Sequence, residues 1–222
     1  MISLLAGYRR FRKDVYPLQK AQFERMAHSQ HPHTLFITCS DSRVVPSMFT
    51  QTEPGELFIC RMVGNLVPAH GAATGGVVSA VEYAVSVLGV KQIVVCGHSD
   101  CGAMRAFLHP EKLEALPAVR AWLEHASTPI TLTKQLYGHL PEEEFIKRLT
   151  QENVVSQMHH LRTHPSVAMA TRTGKLKIYG WYFDIAGAVV TSYDEERGEF
   201  GPLDRGLETV PDAVRESEPA IA

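Results

Sequence analysis

Three short runs of consecutive apolar residues dominate the first half of the chain, at 35–38, 57–60 and 92–96. The third, QIVVC, shows no alternation of apolar and polar positions, which is typical of a strand covered on both faces in a parallel sheet. Between the second and third runs, apolar residues recur at helical spacing over 77–88, and Gly89 follows as a C-cap. Strand, helix and strand in this order predict a right-handed crossover unit.

The second half of the chain predicts further helices and two more strands. Helical spacing covers 110–128 and 141–163, and the second segment opens with PEEE, which suits a first helical turn. The segments LKIYGWYFDI (176–185) and AVVTSY (188–193) predict two strands joined by a turn. The fold class is therefore α/β, with a central, mostly parallel sheet of about four strands plus an edge strand, flanked by helices.

The two ends of the chain differ from this core. Residues 1–30 predict a helical arm interrupted at Pro17, which could pack on its own domain or reach another subunit. Residues 194–222 carry nine acidic residues against three arginines, a net charge of −6, and predict a solvated, partly irregular acidic tail. We expect one domain over residues 1–222.

The composition narrows the class of protein. A net charge of −2 over 222 residues gives no general reason to expect nucleic acid or an anionic membrane as partner. No apolar run approaches the ~18 residues of a membrane span, and YRRFRK near the start lacks the apolar segment of an export signal. Four cysteines are too few for a disulfide scaffold, so clustered Cys and His indicate metal binding or catalysis. We therefore expect a cytoplasmic protein.

Chemically active side chains follow the first and third predicted strands. TLFITCSDSR delivers Cys39, Asp41 and Arg43, and VVCGHSDCGA delivers His98 and Cys101 in an H-x-x-C spacing. Because parallel strands end at the same edge of a sheet, these groups are expected to meet there. Two thiolates and one imidazole suit Zn²⁺, and three protein ligands leave a fourth position open, as in catalytic sites.

These motifs resemble a known family. CSDSR and GHSDCGA are similar to the two metal motifs of the β-class carbonic anhydrases, and EPGELF, NLVP, SAVEYAV, ENVVSQMHHLRTHPSV and GWYFDI resemble further family segments in the same order, over about residues 20–193. The resemblance implies zinc-dependent reversible hydration of CO₂ to bicarbonate and a proton by attack of zinc-bound hydroxide, with one zinc per chain. The sequence leaves two alternatives open, a related zinc hydrolase acting on CS₂ or COS and a non-catalytic zinc or thiol regulatory module.

The resemblance also implies a role for each matching residue. The zinc ligands would be Cys39, His98 and Cys101. Asp41 and Arg43 would form a catalytic pair, in which Arg43 holds the Asp41 carboxylate ionised. Whether Asp41 pairs with Arg43 or ligates zinc at rest stays open. The implied substrate-binding residues are Gln30, Phe58, Val63, Tyr83 and Gly102. The implied assembly is a homodimer or higher multiple with the active site at the subunit interface, without nucleic acid or membrane.

One feature of some family members is absent from the sequence. Their bicarbonate inhibition site contains a tryptophan, an arginine and a tyrosine, of which only Arg61 is matched here, while Phe36 and Phe183 stand at the other two positions. A phenyl ring has no hydrogen-bond donor for an anion, so we expect no such site.

The remaining cysteines and a group of histidines have simpler interpretations. Cys60 and Cys96 lie within predicted strands and are interpreted as buried, inert thiols. His159, His160 and His164 are interpreted as solvated or capping side chains rather than a second metal site.

Overall fold

A six-stranded sheet forms the centre of the computed structural model, which describes residues 2–203. The strands are β1 Thr34–Cys39, β2 Leu57–Met62, β3 Gln92–His98, β4 Lys177–Asp184, β5 Val189–Asp194 and β6 Glu199–Pro202. Their order across the sheet is β2-β1-β3-β4-β5-β6. The first four strands in this order are parallel, whereas β5 and β6 are antiparallel to their neighbours. The predicted fold class is confirmed.

The register of the central strands brings their carboxyl ends to one edge. All six residues of β1 are buried, as the continuous apolar run predicts for a strand covered on both faces. Thr38 of β1 pairs with Cys96 of β3, so β3 extends two residues further before it ends at His98. Cys39 and His98 therefore lie at the same edge, where ligands bind in open α/β sheets.

Nine α-helices surround the sheet within residues 2–203. They are α1 Ile2–Arg10, α2 Tyr16–Met26, α3 Pro46–Thr50, α4 Gly76–Ser86, α5 Gly102–Arg105, α6 Pro117–Leu123, α7 Ser127–Tyr137, α8 Glu142–Thr163 and α9 Pro165–Arg172. Short 3₁₀ turns occur at 63–65, 106–108, 110–113 and 124–126. Among the described helices, none combines the length and the apolar character that crossing a membrane requires.

The longest helix, α8, lies directly on β3 and β4 because two strand residues lack side chains. A β-carbon placed on Gly97 would come within 2.9 Å of Val154 and 2.8 Å of Thr150. One placed on Gly180 would come within 2.9 Å of Val154 and 2.5 Å of the Met158 sulfur. These distances are too short for real atoms, so the glycines set how closely α8 approaches the sheet.

Several local elements differ from the sequence prediction. The helix predicted over 110–128 is divided into two 3₁₀ turns with α6 between them, and Pro110 and Pro117 each begin a new piece. The sequence analysis predicted neither α7, which has Pro129 in its first turn, nor β6. Part of the predicted acidic tail therefore belongs to the sheet edge, and residues 204–222 of that tail lie outside the described residues.

The N-terminal arm is helical from Ile2 to Met26. A π-helical turn over Phe11–Val15 directly precedes Pro17, which has no N–H with which to continue a regular helix. No residue from 3 to 30 is buried, and the side chains of Leu4 and Leu18 are 78% and 87% exposed. The arm therefore contributes no side chain to the core of its own chain.

Candidate active site

Two strand ends and a helix start bring the three predicted metal ligands together. Cys39 is the last residue of β1, His98 is the last residue of β3, and Cys101 directly precedes α5. Their two sulfur atoms and a histidine ring nitrogen all lie within 4.8 Å of one another, and all three residues are buried. The group could therefore hold a metal ion.

One hydrogen bond of His98 determines which ring nitrogen is available to a metal ion beside the two thiols. Nδ1 lies 2.9 Å from the backbone oxygen of Ser99, which can only accept, so Nδ1 carries the proton and donates it. In the neutral ring Nε2 is then the acceptor nitrogen, and it is buried without a hydrogen-bond partner in residues 2–203. A buried, unpartnered imidazole nitrogen beside two thiols fits a metal ligand, and the Cys₂His set fits zinc.

The two thiols of the group hold their protons very differently. The pKa of Cys39 is lowered, chiefly by a hydrogen bond with the Cys101 side chain and further by the backbone of Asp41 and Gly64, while burial opposes the shift. The pKa of Cys101 is raised well above its ordinary value, first by its hydrogen bond to Cys39 and then by burial. The pair thus releases one proton readily and keeps the second, which a cation bound between them would displace.

Asp41 lies beside this group, and Arg43 binds its carboxylate. Arg43 donates from Nε to Oδ1 of Asp41 at 3.0 Å and from Nη2 to Oδ2 at 2.8 Å. These bonds hold the pKa of Asp41 well below its usual range. Oδ2 of Asp41 is 3.9 Å from Nε2 of His98, so the ionised carboxylate lies at the ligand group.

Comparison with known proteins identifies the family of this site. The sequence profile described as carbonic anhydrase matches residues 34–190. A carbonic anhydrase of Pseudomonas aeruginosa is 47% identical over 203 residues, which cover 91% of this chain and 92% of that protein. The solved β-carbonic anhydrase CcaA is 40% identical with a TM-score of 0.89, covering 91% of this chain and 98% of that one. This chain belongs to the β-carbonic anhydrase family.

A third similar protein is described as a tetramer. A structure described as one of two tetrameric β-carbonic anhydrases from Sordaria macrospora is 28% identical, with a TM-score of 0.71, over 86% of this chain and 91% of that one. The general reaction of β-carbonic anhydrases is the hydration of CO₂, and the Cys39, His98 and Cys101 group is compatible with their zinc.

In this β-carbonic anhydrase, sequence reasoning missed the residues that hold Arg43 from its other side. Arg43 donates to the backbone oxygen of Asp100 at 3.1 Å, and its Nη1 lies 3.4 Å from the Asp100 carboxylate. Asp100 accepts in turn from Nη2 of Arg105 at 2.7 Å, and Arg105 contacts Glu142 at 2.5 Å. The alternation of acid and base along this chain of contacts was not visible in the sequence, because Arg43 and Glu142 are far apart in it.

Arg61 holds the loop that follows β1. Its Nη1 donates to the backbone oxygens of Cys39 at 3.0 Å and Asp41 at 3.2 Å, and its Nη2 contacts the backbone oxygen of Val44. Phe183, which stacks on Phe49 at 4.5 Å between ring centres, is buried and offers no donor, and Phe36 is buried as well. Both observations agree with the expectation that no bicarbonate inhibition site is present, which stays a prediction.

Two of the five predicted substrate-binding residues line the cavity beside α5. Val63 and Gly102 line one cavity of about 330 Å³ beside α5. Phe58 and Tyr83 contact each other instead, with ring centres 6.1 Å apart, and neither lines that cavity. Gln30 is exposed in the segment between α2 and β1. Their roles in binding substrate stay predictions.

The two remaining cysteines are buried, and two of the grouped histidines differ in their exposure. Cys60 and Cys96 are buried, and burial raises the pKa of Cys60 and raises that of Cys96 to about 12, as expected for inert thiols. His159 is exposed, as expected for a solvated side chain. His164 stands at the C-cap position of α8 and the N-cap position of α9, so of the two alternatives, solvated or capping, its position agrees with the second. Its side chain is buried, and Nε2 donates to the backbone oxygen of Pro68 at 2.9 Å.

Proposed function

We propose that this chain catalyses the reversible hydration of CO₂ to bicarbonate and a proton, with one zinc ion per chain held by Cys39, His98 and Cys101. The observation that carries the proposal is the buried Nε2 of His98, which has no hydrogen-bond partner among the described residues and lies within 4.8 Å of two thiols, with an ionised carboxylate beside it. Zinc in such a site lowers the pKa of a bound water from ~15.7 towards ~7 and so supplies hydroxide at neutral pH.

Asp41 and Arg43 would direct the attacking group. Arg43 binds both carboxylate oxygens of Asp41 and keeps the carboxylate ionised, so Asp41 can only accept hydrogen bonds. Its Oδ2, next to Nε2 of His98, would accept the hydrogen of the attacking hydroxyl and leave an oxygen lone pair directed at CO₂.

The proposed substrate pocket lies where two copies of the chain meet. Val63 and Gly102 would come from one copy, and Gln30, Phe58 and Tyr83 from the other, because the cavity that Val63 and Gly102 line includes none of the other three. The rings would form apolar walls, and Gln30 would donate to a substrate oxygen. The exposed leucines of the arm support a homodimer or higher multiple, and the tetrameric relative from Sordaria macrospora agrees with it.

The proposal includes a cytoplasmic location. All four cysteines are free, and the proposed site needs two of them as thiolates. A reducing compartment keeps thiols in that form, whereas an oxidising one would compete for them by disulfide formation.

Stopped-flow CO₂ hydration combined with metal analysis tests the function. Purified protein should contain one zinc per chain and hydrate CO₂, and His98→Ala should lose both properties. Protein that holds zinc but is active only on CS₂ or COS would support the related hydrolase instead. Zinc-loaded protein with no activity on CO₂, CS₂ or COS would support the non-catalytic regulatory module instead.

A further inference from the structure

One face of α8 hydrogen-bonds the chain segment that follows β2. Asn153 donates from Nδ2 to the backbone oxygen of Gly64 at 3.0 Å. Gln157, one turn later, accepts from the backbone N–H of Val67 at 2.8 Å and donates to Oδ1 of Asn153 at 2.9 Å. Nδ1 of His160 lies 2.8 Å from the backbone oxygen of Val67. The spacing of four and three residues places all three side chains on one side of the helix.

The two amides are isolated from solvent. Asn153 and Gln157 are both 0% exposed, so water cannot replace either side chain as a partner for the segment. Removing one amide would leave a buried backbone group without a hydrogen bond, which is unfavourable unless the segment moves. Movement of residues 63–67 is therefore the expected response to such a change.

The segment that these amides hold also contacts a metal ligand. The backbone N–H of Gly64 lies 3.4 Å from Sγ of Cys39. Gly64 has a φ of 71°, and a β-carbon there would lie 3.1 Å from both Ala103 and Met104. Gly64 is thus fixed by steric fit on one side, by Asn153 at its carbonyl and by Cys39 at its N–H.

We propose that Asn153 and Gln157 are positioning residues of the metal centre, which hold Gly64 so that its N–H donates to the Cys39 sulfur. The inference rests on the proposed function, since it needs a metal ion at Cys39. An N–H donor withdraws negative charge from a metal-bound thiolate, and partners of this kind orient and tune metal ligands. A purely structural role for the amides would stabilise the fold without affecting the sulfur.

Matched variants of α8 separate these two roles. Asn153→Leu and Gln157→Met keep the approximate volume of each side chain and remove its hydrogen bonds. Gln151→Leu is the control, because Gln151 lies on the same helix, is also buried, and lines a different cavity with Tyr182 and Thr191. Circular dichroism would establish that each variant is folded.

The readouts are the rate of zinc release to a chromophoric chelator and the absorption of the cobalt(II)-substituted protein. Both test variants should release zinc faster, by about 10-fold or more, since loss of such outer partners costs metal affinity by 10–100-fold. Their sulfur-to-cobalt charge-transfer band should move to longer wavelength, because a thiolate without its N–H donor gives up an electron more easily. The control should match the wild type in both measurements.

Wild-type release rates and an unchanged band in both folded test variants would overturn the proposal. A measurement on the wild type covers the case in which a variant does not fold. In protein loaded with ¹¹³Cd, the amide proton of Gly64 should show scalar coupling to the metal through the sulfur, and absence of that coupling would equally reject the role. If the wild type binds no metal, the proposed function itself fails.

Discussion

Arg43 binds both carboxylate oxygens of Asp41, through Nε at 3.0 Å and Nη2 at 2.8 Å. The sequence left two states of Asp41 open, paired with Arg43 or turned onto the metal, and this structure contains the paired state. The Asp41 carboxylate accepts from Arg43 at both oxygens and still lies next to His98. The backbone oxygen of Asp100 holds Arg43 from the other side. The position of the carboxylate is therefore fixed by two successive ionic contacts.

Asp41→Asn should lower the rate of CO₂ hydration by about 100-fold or more, the usual range for removing a group that handles a proton in the reaction. The amide has almost the same shape as the carboxylate, but its NH₂ end donates instead of accepting. Zinc content should stay at one per chain, because Asp41 is not among the proposed ligands. Stopped-flow assays with metal analysis measure both quantities, and full activity in this variant would remove Asp41 from the mechanism.

The rate of CO₂ hydration should rise with pH through the mildly alkaline range. Two thiolates donate more negative charge to zinc than three imidazoles would, so the water they activate is less acidic. Asp41 does not cause this rise, because its pKa lies well below its usual range and it stays ionised throughout. Initial rates measured between pH 6 and 9 check the expectation, and a flat profile would contradict it.

Removal of the metal should change the number of reactive thiols in two steps. Strong chelation should make Cys39 reactive towards a disulfide reagent at pH 8, since the thiolate is the reactive form and the pKa of Cys39 is lowered. Cys101 should react after it, because the hydrogen bond to Cys39 that chiefly raises the pKa of Cys101 is lost once Cys39 is modified. Cys60 and Cys96 should react only after unfolding, because burial raises their pKa values and shields them. The expected counts are two thiols after chelation and four in denaturant. Four reactive thiols in the folded, chelated protein would be inconsistent with this structure.

The helical arm should be required for both assembly and activity. Leu4 and Leu18 are among its most exposed apolar side chains, so Leu4→Ser with Leu18→Ser should weaken contacts to another copy. Light scattering after size-exclusion chromatography would measure the mass, and CO₂ hydration the activity. Lys20→Ser is the control, since Lys20 is exposed and pairs with Glu24 of its own helix at 3.5 Å. An unchanged mass and rate in the leucine variant would exclude the arm from the interface.

The sequence predicted the parallel strands and the meeting of Cys39, His98 and Cys101 because both depend on short-range pattern. Continuous apolar runs marked β1 and β3, and the proposed ligands Cys39 and His98 directly end those strands. Because the crossover connection makes β1 and β3 parallel, their last residues lie at one edge of the sheet, independently of the conformation of the loops. Cys101 follows His98 by three residues, so local geometry alone places it.

The parts that the sequence did not reveal depend on distant segments. Asn153 contacts Gly64 across 89 positions, and its type and helical location gave no sign of a partner. A signal was present, since Asn153, Gln157 and His160 repeat at helical spacing on a buried face where apolar residues are expected. Phe58 and Tyr83 were named only through the family resemblance, because the proposed pocket depends on a second copy of the chain.

The close packing of α8 on Gly97 and Gly180 has a consequence for the order of events in thermal unfolding. The helix that contacts the sheet through these glycines also carries the amides that bind Gly64. Heating that lifts α8 slightly from the strands would break those amide contacts while the strand ladder is still intact. Loss of metal would then precede loss of the sheet, and metal release would report the first step of denaturation.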